Sequence, residues 1–355
     1  MKKKIIRYFL SSALILLLSC GKKLPPSSPD RWAPHLLNVS AIDEHHISVF
    51  FSERLDTLSP RKLENFKLFN PQSEETTSVI LSERTVKGDE ILLTIPKLKD
   101  AKYILRIFNI ADLKGNVLEK AEKAFEPSQD KDTISPIIKK TYPSRALTSA
   151  PQDSTVFIEF SEPMDSVNCS VNNLILTNIT IDTNFVWNKT LTEFTMRYKL
   201  TDDKLCRLFI LPSMTDLSGN PLGNMRILTF TAADSLPRNR MDVEIVEEKK
   251  SQIKIYAFLA LVRGGLLEDI VSVDTSFTFS FFSFYPDTYV ISVAAQDSSD
   301  TTGLWWGEKQ TLFVPDTTGS MDEKVEIDFV DRGKIPEEYF HIYRILRKNI
   351  QKGGN

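Results

Sequence analysis

The stretch that decides the fold is Phe160-Ser161-Glu162-Pro163-Met164-Asp165, answered downstream by Asp216-Leu217-Ser218-Gly219-Asn220-Pro221-Leu222. The chain states the same phrase earlier. Phe51-Ser52-Glu53 is followed by Asp112-Leu113-Lys114-Gly115-Asn116 at nearly the same internal spacing. Two copies at matched spacing imply a tandem duplication of a unit of about 100 residues, a common domain size.

Each phrase sits beside strand patterns. Ile47, Val49 and Phe51 alternate with His46, Ser48 and Phe50, and Val156, Ile158 and Phe160 alternate with Thr155, Phe157 and Glu159. This period of two in β-branched and aromatic residues predicts half-buried strands with the Phe of each phrase turned inward. Lys102–Ile107 and Lys204–Phe209 stand at matching places before the second half of the phrase. That half is turn chemistry: Asp bonds the backbone two residues on, and Gly and Asn tolerate positive φ. Short strands between such turns, with no convincing helix, predict an antiparallel β-sandwich.

At these residues the chain resembles the bacterial immunoglobulin-like domain of the surface-layer-protein type. The resemblance is strong over 133–233, where Ser135-Pro136-Ile137 and Tyr142-Pro143 fit the lead-in, and weaker over the first copy, where Arg54, Leu55 and Lys114 depart from the pattern. It implies a seven-strand sandwich used as a spacer or adhesive module, and no activity.

A third β-rich region follows. Ile253, Ile255 and Ala257 alternate, then Phe277, Phe279 and Phe281, then Tyr289, Ile291 and Val293. The run from Phe277 to Ile291 is similar to the central hairpin of transthyretin-like domains, although Asp287-Thr288 stands where that family carries Gly. From Ile335 to Gln351, acids early and bases late suit a short helix or tail.

The N-terminus reads as a processing signal: basic Met1–Arg7, an apolar Tyr8–Leu18, then Ser19-Cys20-Gly21. The apolar run is shorter than the roughly 20 residues needed to span a bilayer. With its cysteine it resembles the bacterial lipoprotein signal, which implies cleavage before Cys20 and acylation of its thiol. Pro and Ser in Gly21–Pro34 read as an extended leash. Gly21 is not the aspartate of inner-membrane retention, which leans the expectation toward the outer membrane.

The expected organisation is all-β: signal peptide 1–19, linker 20–34, Ig-like sandwiches at 35–127 and 133–233, a smaller transthyretin-like β-domain at 243–330, and a helix or tail at 331–355. The partner of the first instance is the membrane, through the lipid.

Net charge is −3, with 44 basic and 47 acidic residues interspersed, so nucleic acid is not an expected partner. Cys169 and Cys206 remain once Cys20 is acylated. An oxidising compartment is compatible with a disulfide between them, but the first repeat has no matching cysteines, and buried thiols are the alternative. Alternation turns Cys206 inward and Arg207 toward water.

Candidate chemistry is sparse. His45-His46 is similar to histidine pairs of copper-carrying sandwiches, but adjacent strand residues face opposite ways, which favours solvated side chains over a shared metal. Asp297–Gly303 has calcium-like composition without the ligand spacing, and reads as a turn. Trp305-Trp306 is a candidate binding platform or a core anchor, the anchor being favoured, and alternation allows one ring to be buried and one exposed. Glu53 and Glu162 lie in separate repeats and read as capping their own strands or bonding a nearby turn. No catalytic residue, metal site or cofactor is expected, since no Gly-x-Ser-x-Gly, His-Glu-x-x-His or phosphate loop occurs. The expected function is a non-catalytic, lipid-anchored envelope protein. Its alternatives are a glycan-binding accessory lipoprotein using Trp305 and Trp306, or a periplasmic assembly lipoprotein offering a strand edge to other proteins.

Overall fold

The computed structural model describes residues 30–330, apart from 182–185, 201–204, 224, 247–252, 262–266, 274–276, 298–303 and 315–318. The signal, Cys20, most of the leash, the C-terminal segment and most of the Asp297–Gly303 loop lie outside the described residues.

Apart from three short 3-10 turns, the regular elements of the described chain are strands, arranged around three separate cores. In the first sandwich, Leu36–Ala41, His46–Phe51, Glu90–Thr94 and Leu81–Arg84 form one sheet, in that order. Thr76–Ser78, Phe66–Phe69, Tyr103–Ala111 and Val117–Phe125 form the other. Ile47, Val49 and Phe51 all reach the core, as the alternation required, against Leu105 and Ile107 of the facing sheet.

The second sandwich repeats the scheme. One sheet runs Ile179–Ile181, Glu193–Leu200, Asp153–Phe160, Ile138–Tyr142, with Val186–Trp187 also paired to Glu193–Leu200. Its partner sheet is Leu174–Thr177, Cys206–Ile210, Arg226–Phe230. Phe160 packs with Trp187 and Phe194, ring centroids 6.1 and 6.0 Å away.

In the third unit Thr278–Phe282, Arg240–Val246 and Ser320–Glu326 make a three-stranded sheet whose last pair is parallel. It faces a five-stranded sheet with Ile253–Leu261 and Thr288–Asp297 at its centre. Phe279, Phe281, Tyr289, Ile291 and Val293 are buried between the two sheets, as their spacing required. Gly307 has a steric role here. A Cβ on it would lie 1.9 Å from the carbonyl oxygen of Glu326, so only glycine lets the two sheets close at this corner.

Two expectations are corrected, and one alternative left open is decided. Arg207 is not in water: its side chain is 2 % exposed, because the third unit covers that face of Cys206–Ile210. Of the two readings left open for Cys169 and Cys206, the structure holds separate buried thiols with no disulfide between them. Cys169 Sγ donates to Thr215 O at 3.6 Å and Cys206 Sγ to Asn178 O at 3.1 Å, and burial pushes their pKa values up to about 11 and about 12, which keeps them protonated and unreactive. The histidines are not solvated either. His45 is buried with Nδ1 2.8 Å from Ile95 O, and His46 Nδ1 lies 2.9 Å from Asp43 Oδ2.

Candidate functional site: carboxylate clusters and module junctions

The duplicated phrase builds the same small structure twice. In each copy the Asp carboxylate closes its own turn. Asp112 Oδ1 accepts from the N–H groups of Lys114 and Asn116 at 2.7 and 2.8 Å, and Asp216 Oδ1 accepts from Ser218 and Asn220 at 2.9 and 2.8 Å. Gly115 and Gly219 both stand at φ +87°, the left-handed region the turn requires. The Asn does more than tolerate a turn. Asn116 Nδ2 donates to Asp112 Oδ2 at 2.7 Å and to Asp30 O at 3.3 Å, and Asn220 Nδ2 donates to Asp216 Oδ2 at 2.8 Å and to Asp132 O at 3.1 Å. The phrase thus ties the late turn of each sandwich to the segment that leads into it.

The Glu of each phrase ends its strand beside that turn. Asp30, Glu53 and Asp112 converge in the first sandwich, and Asp132, Glu162 and Asp216 in the second, with ligand-capable oxygens within 4.8 Å of one another. Asp43, His46 and Asp132 form a third group, so Asp132 belongs to two. Each group is compact enough for one hard cation to touch all three members. Glu53 and Glu162 stand in separate repeats, as expected, but each also meets the turn aspartate of its own repeat and an aspartate of the segment leading into it, which was not anticipated. The matched spacing of Glu and Asp in the two copies was the available signal.

The two trios differ electrostatically because the first sandwich covers the second trio. Glu44 N donates to Asp130 O at 2.8 Å, and His46 Nδ1 stands 3.9 Å from Asp132 Oδ2. Burial, then the neighbouring Asp216 and Asp132, raise the pKa of Glu162 to about 7. Burial, then Asp30 and Asp112, also raise that of Glu53. Burial acts upward on both turn aspartates. In Asp216 it prevails over the bonds from Asn220, whereas in Asp112 the Asn116 and backbone donors outweigh it and lower the pKa.

The second junction is built on Arg207. Nη1 donates to Glu268 O at 2.5 Å, while Nη2 donates to Phe282 O and Ser283 O at 2.6 and 2.9 Å. The carboxylates of Glu268 and Asp269 approach to 3.8 and 3.5 Å. Burial raises the pKa of Asp269 and the guanidinium opposes that rise. A planar, five-donor cation suits this mixture of carbonyls and carboxylates.

Trp305 and Trp306 lie in the strand Leu304–Leu312, between Thr288–Asp297 and Asp328–Val330. Both are partly buried, and Trp305 packs against the third core. The split into one buried and one exposed ring, which alternation allowed, does not occur.

Among known proteins, residues 132–232 match the family described as bacterial Ig-like domain. No match was found among curated proteins. The N-terminal part of the bacterial S-layer protein SbsC is similar at 16 % identity and a TM-score of 0.26, over 56 % of this chain and 44 % of that one. The chain therefore spans less than half the length of that structure. CopC from Methylosinus trichosporium OB3b aligns at 9 % identity over 28 % of this chain and 99 % of its own (TM-score 0.22). BcpA, the major pilin subunit of Bacillus cereus, aligns at 11 % identity over 75 % of this chain and 94 % of its own (TM-score 0.20). The family match covers the unit that carries the full Phe-Ser-Glu-Pro and Asp-Leu-Ser-Gly-Asn phrases, and over those residues the chain is similar to the bacterial Ig-like domain.

Proposed function

We propose that the chain is a non-catalytic spacer of the bacterial cell envelope, acylated at Cys20 and held on the outer membrane by that lipid.

 The observation that supports this reading is the pair of built junctions. The first sandwich meets the second through Glu44 and His46, and the second meets the third unit through a buried Arg207, so the three cores are joined by built contacts instead of hanging on loose linkers. A spacer needs that stiffness, whereas a catalyst needs a cleft with converging reactive groups, and the carboxylate trios sit at strand ends beside turns. The third unit, transthyretin-like in this reading, is the distal module that the sandwiches carry away from the bilayer.

The experiment is Cys20→Ala followed by fractionation. The variant is expected in the soluble fraction, while the parent protein stays with membranes after a carbonate wash. A variant that remains membrane-bound refutes the lipid anchor.

A further inference from the structure

The two sandwiches present equivalent ends in different settings. In the second, the end carrying the carboxylate trio is met by the first sandwich through Asp130 and Asp132. In the first, the same end has no module against it among the described residues, and it is the end from which the chain runs back toward Cys20.

Four segments come together there. Ser52 N donates to His35 O at 2.9 Å, Leu55 N to Gly88 O at 2.8 Å and Asp56 N to Ala111 O at 2.9 Å, and Asn116 Nδ2 reaches Asp30 O. Each segment projects one large apolar side chain into solvent: Trp32 (76 % exposed), Leu58 (68 %), Val86 (102 %) and Leu113 (60 %). Each also exposes a cation nearby, namely Arg31, Arg54, Lys87 and Lys114. Several acids at this end are engaged inside the fold. Asp112 is held by its turn, Asp56 accepts from Ser59 N and Oγ, and Glu53 faces Asp30 and Asp112.

We infer that this end of the first sandwich rests on the bilayer interface, with Trp32, Leu58, Val86 and Leu113 at headgroup depth and Arg31, Arg54, Lys87 and Lys114 on anionic phosphates. The inference rests on the lipid anchor proposed above. Tryptophan and long cationic side chains favour this interfacial position, and apolar loop tips paired with basic residues suit an anionic surface. The tether supplies the proximity. Nine residues lie between Cys20 and Asp30, ten Cα–Cα steps with a reach of at most about 36 Å when fully extended. Confinement on that scale gives an effective concentration in the millimolar range, so weak contacts suffice.

The test uses the full acylated protein reconstituted into phosphatidylethanolamine–phosphatidylglycerol vesicles. An environment-sensitive fluorophore is placed at Thr57→Cys, next to Leu58, or at Lys99→Cys, in the segment after Glu90–Thr94 at the other end of the sandwich. Spin-labelled lipids are expected to quench the probe at 57 and spare the probe at 99. Adding Trp32→Ser, Leu58→Ser, Val86→Ser and Leu113→Ser is expected to abolish the quenching while the protein still sediments with the vesicles. These exposed positions lie outside the core, so a circular dichroism spectrum matching the parent is expected. Sedimentation with no quenching at 57 overturns the interfacial contact and leaves the anchor standing. Protein left in the supernatant overturns both. Quenching that survives the four serines overturns the assignment to these side chains.

Discussion

Glu162 is a carboxyl group whose charge the fold opposes. Its pKa of about 7 stands above the ordinary 4.5, through burial first and then through Asp216 and Asp132. Between those two values the folded protein holds a proton that the unfolded chain releases. The stabilisation this gives is complete below about pH 4.5 and is lost as pH rises through about 7. Glu162→Gln removes the titration while keeping the shape. In buffer free of divalent cations the variant is expected to exceed the parent by about 1 kcal/mol at pH 8, a figure reduced for solvent screening at a half-buried site, and to match it near pH 4.5. Urea titrations followed through Trp187, the tryptophan within the second sandwich, provide the measurement. Stability that does not fall in the parent between pH 5 and 8 would contradict this account.

At the scale of elements, Gly307 shows how closely one sheet of the third unit approaches the other. Gly307→Ala drives a methyl group into the Glu326 carbonyl, and the strand ending there must shift. The expected cost is about 1–3 kcal/mol, the usual range for overpacking, read as an earlier thermal transition in Trp305 and Trp306 fluorescence with Trp187 unaffected. An unchanged transition would show that the corner yields freely. Elements were also the most legible level of the sequence. The inward Phe51 and Phe160 were readable because alternation is local, and Gly115 and Gly219 because a left-handed turn position restricts residue choice. Arg207 was not readable. Its burial depends on carbonyls and carboxylates some sixty to seventy-five residues further on, in a different module, and strand periodicity says only that it points away from its own core. The carboxylate trios fall between these cases. Their members were visible, but Glu and Asp meet only after both sheets have closed.

Across the whole molecule, Arg207 is the residue on which the orientation of the third unit turns. Truncation to Ala would leave Glu268 and Asp269 buried without their cation, a loss of about 3–5 kcal/mol for a broken buried pair. Because these partners join two modules, the effect should concentrate at the junction. Arg207→Ala is expected to increase protease cleavage around Ser235–Arg238 and to broaden the distance distribution between labels on the second sandwich and the third unit. Lysine, with one charged nitrogen in place of a fork, should restore only part of the contact. A distance distribution as narrow as the parent's would remove Arg207 from that role.

The asparagine that ends each repeated phrase has a mechanical consequence. Asn220 grips the carbonyl of Asp132 just where the chain passes from the first sandwich into the second, and Asn116 does the same at Asp30. Tension applied between a tethered N-terminus and a load on the far module therefore reaches each sandwich first at this side-chain clasp. The clasp passes the pull to the turn and its flanking strands together, so a single edge strand is not the first part to unzip.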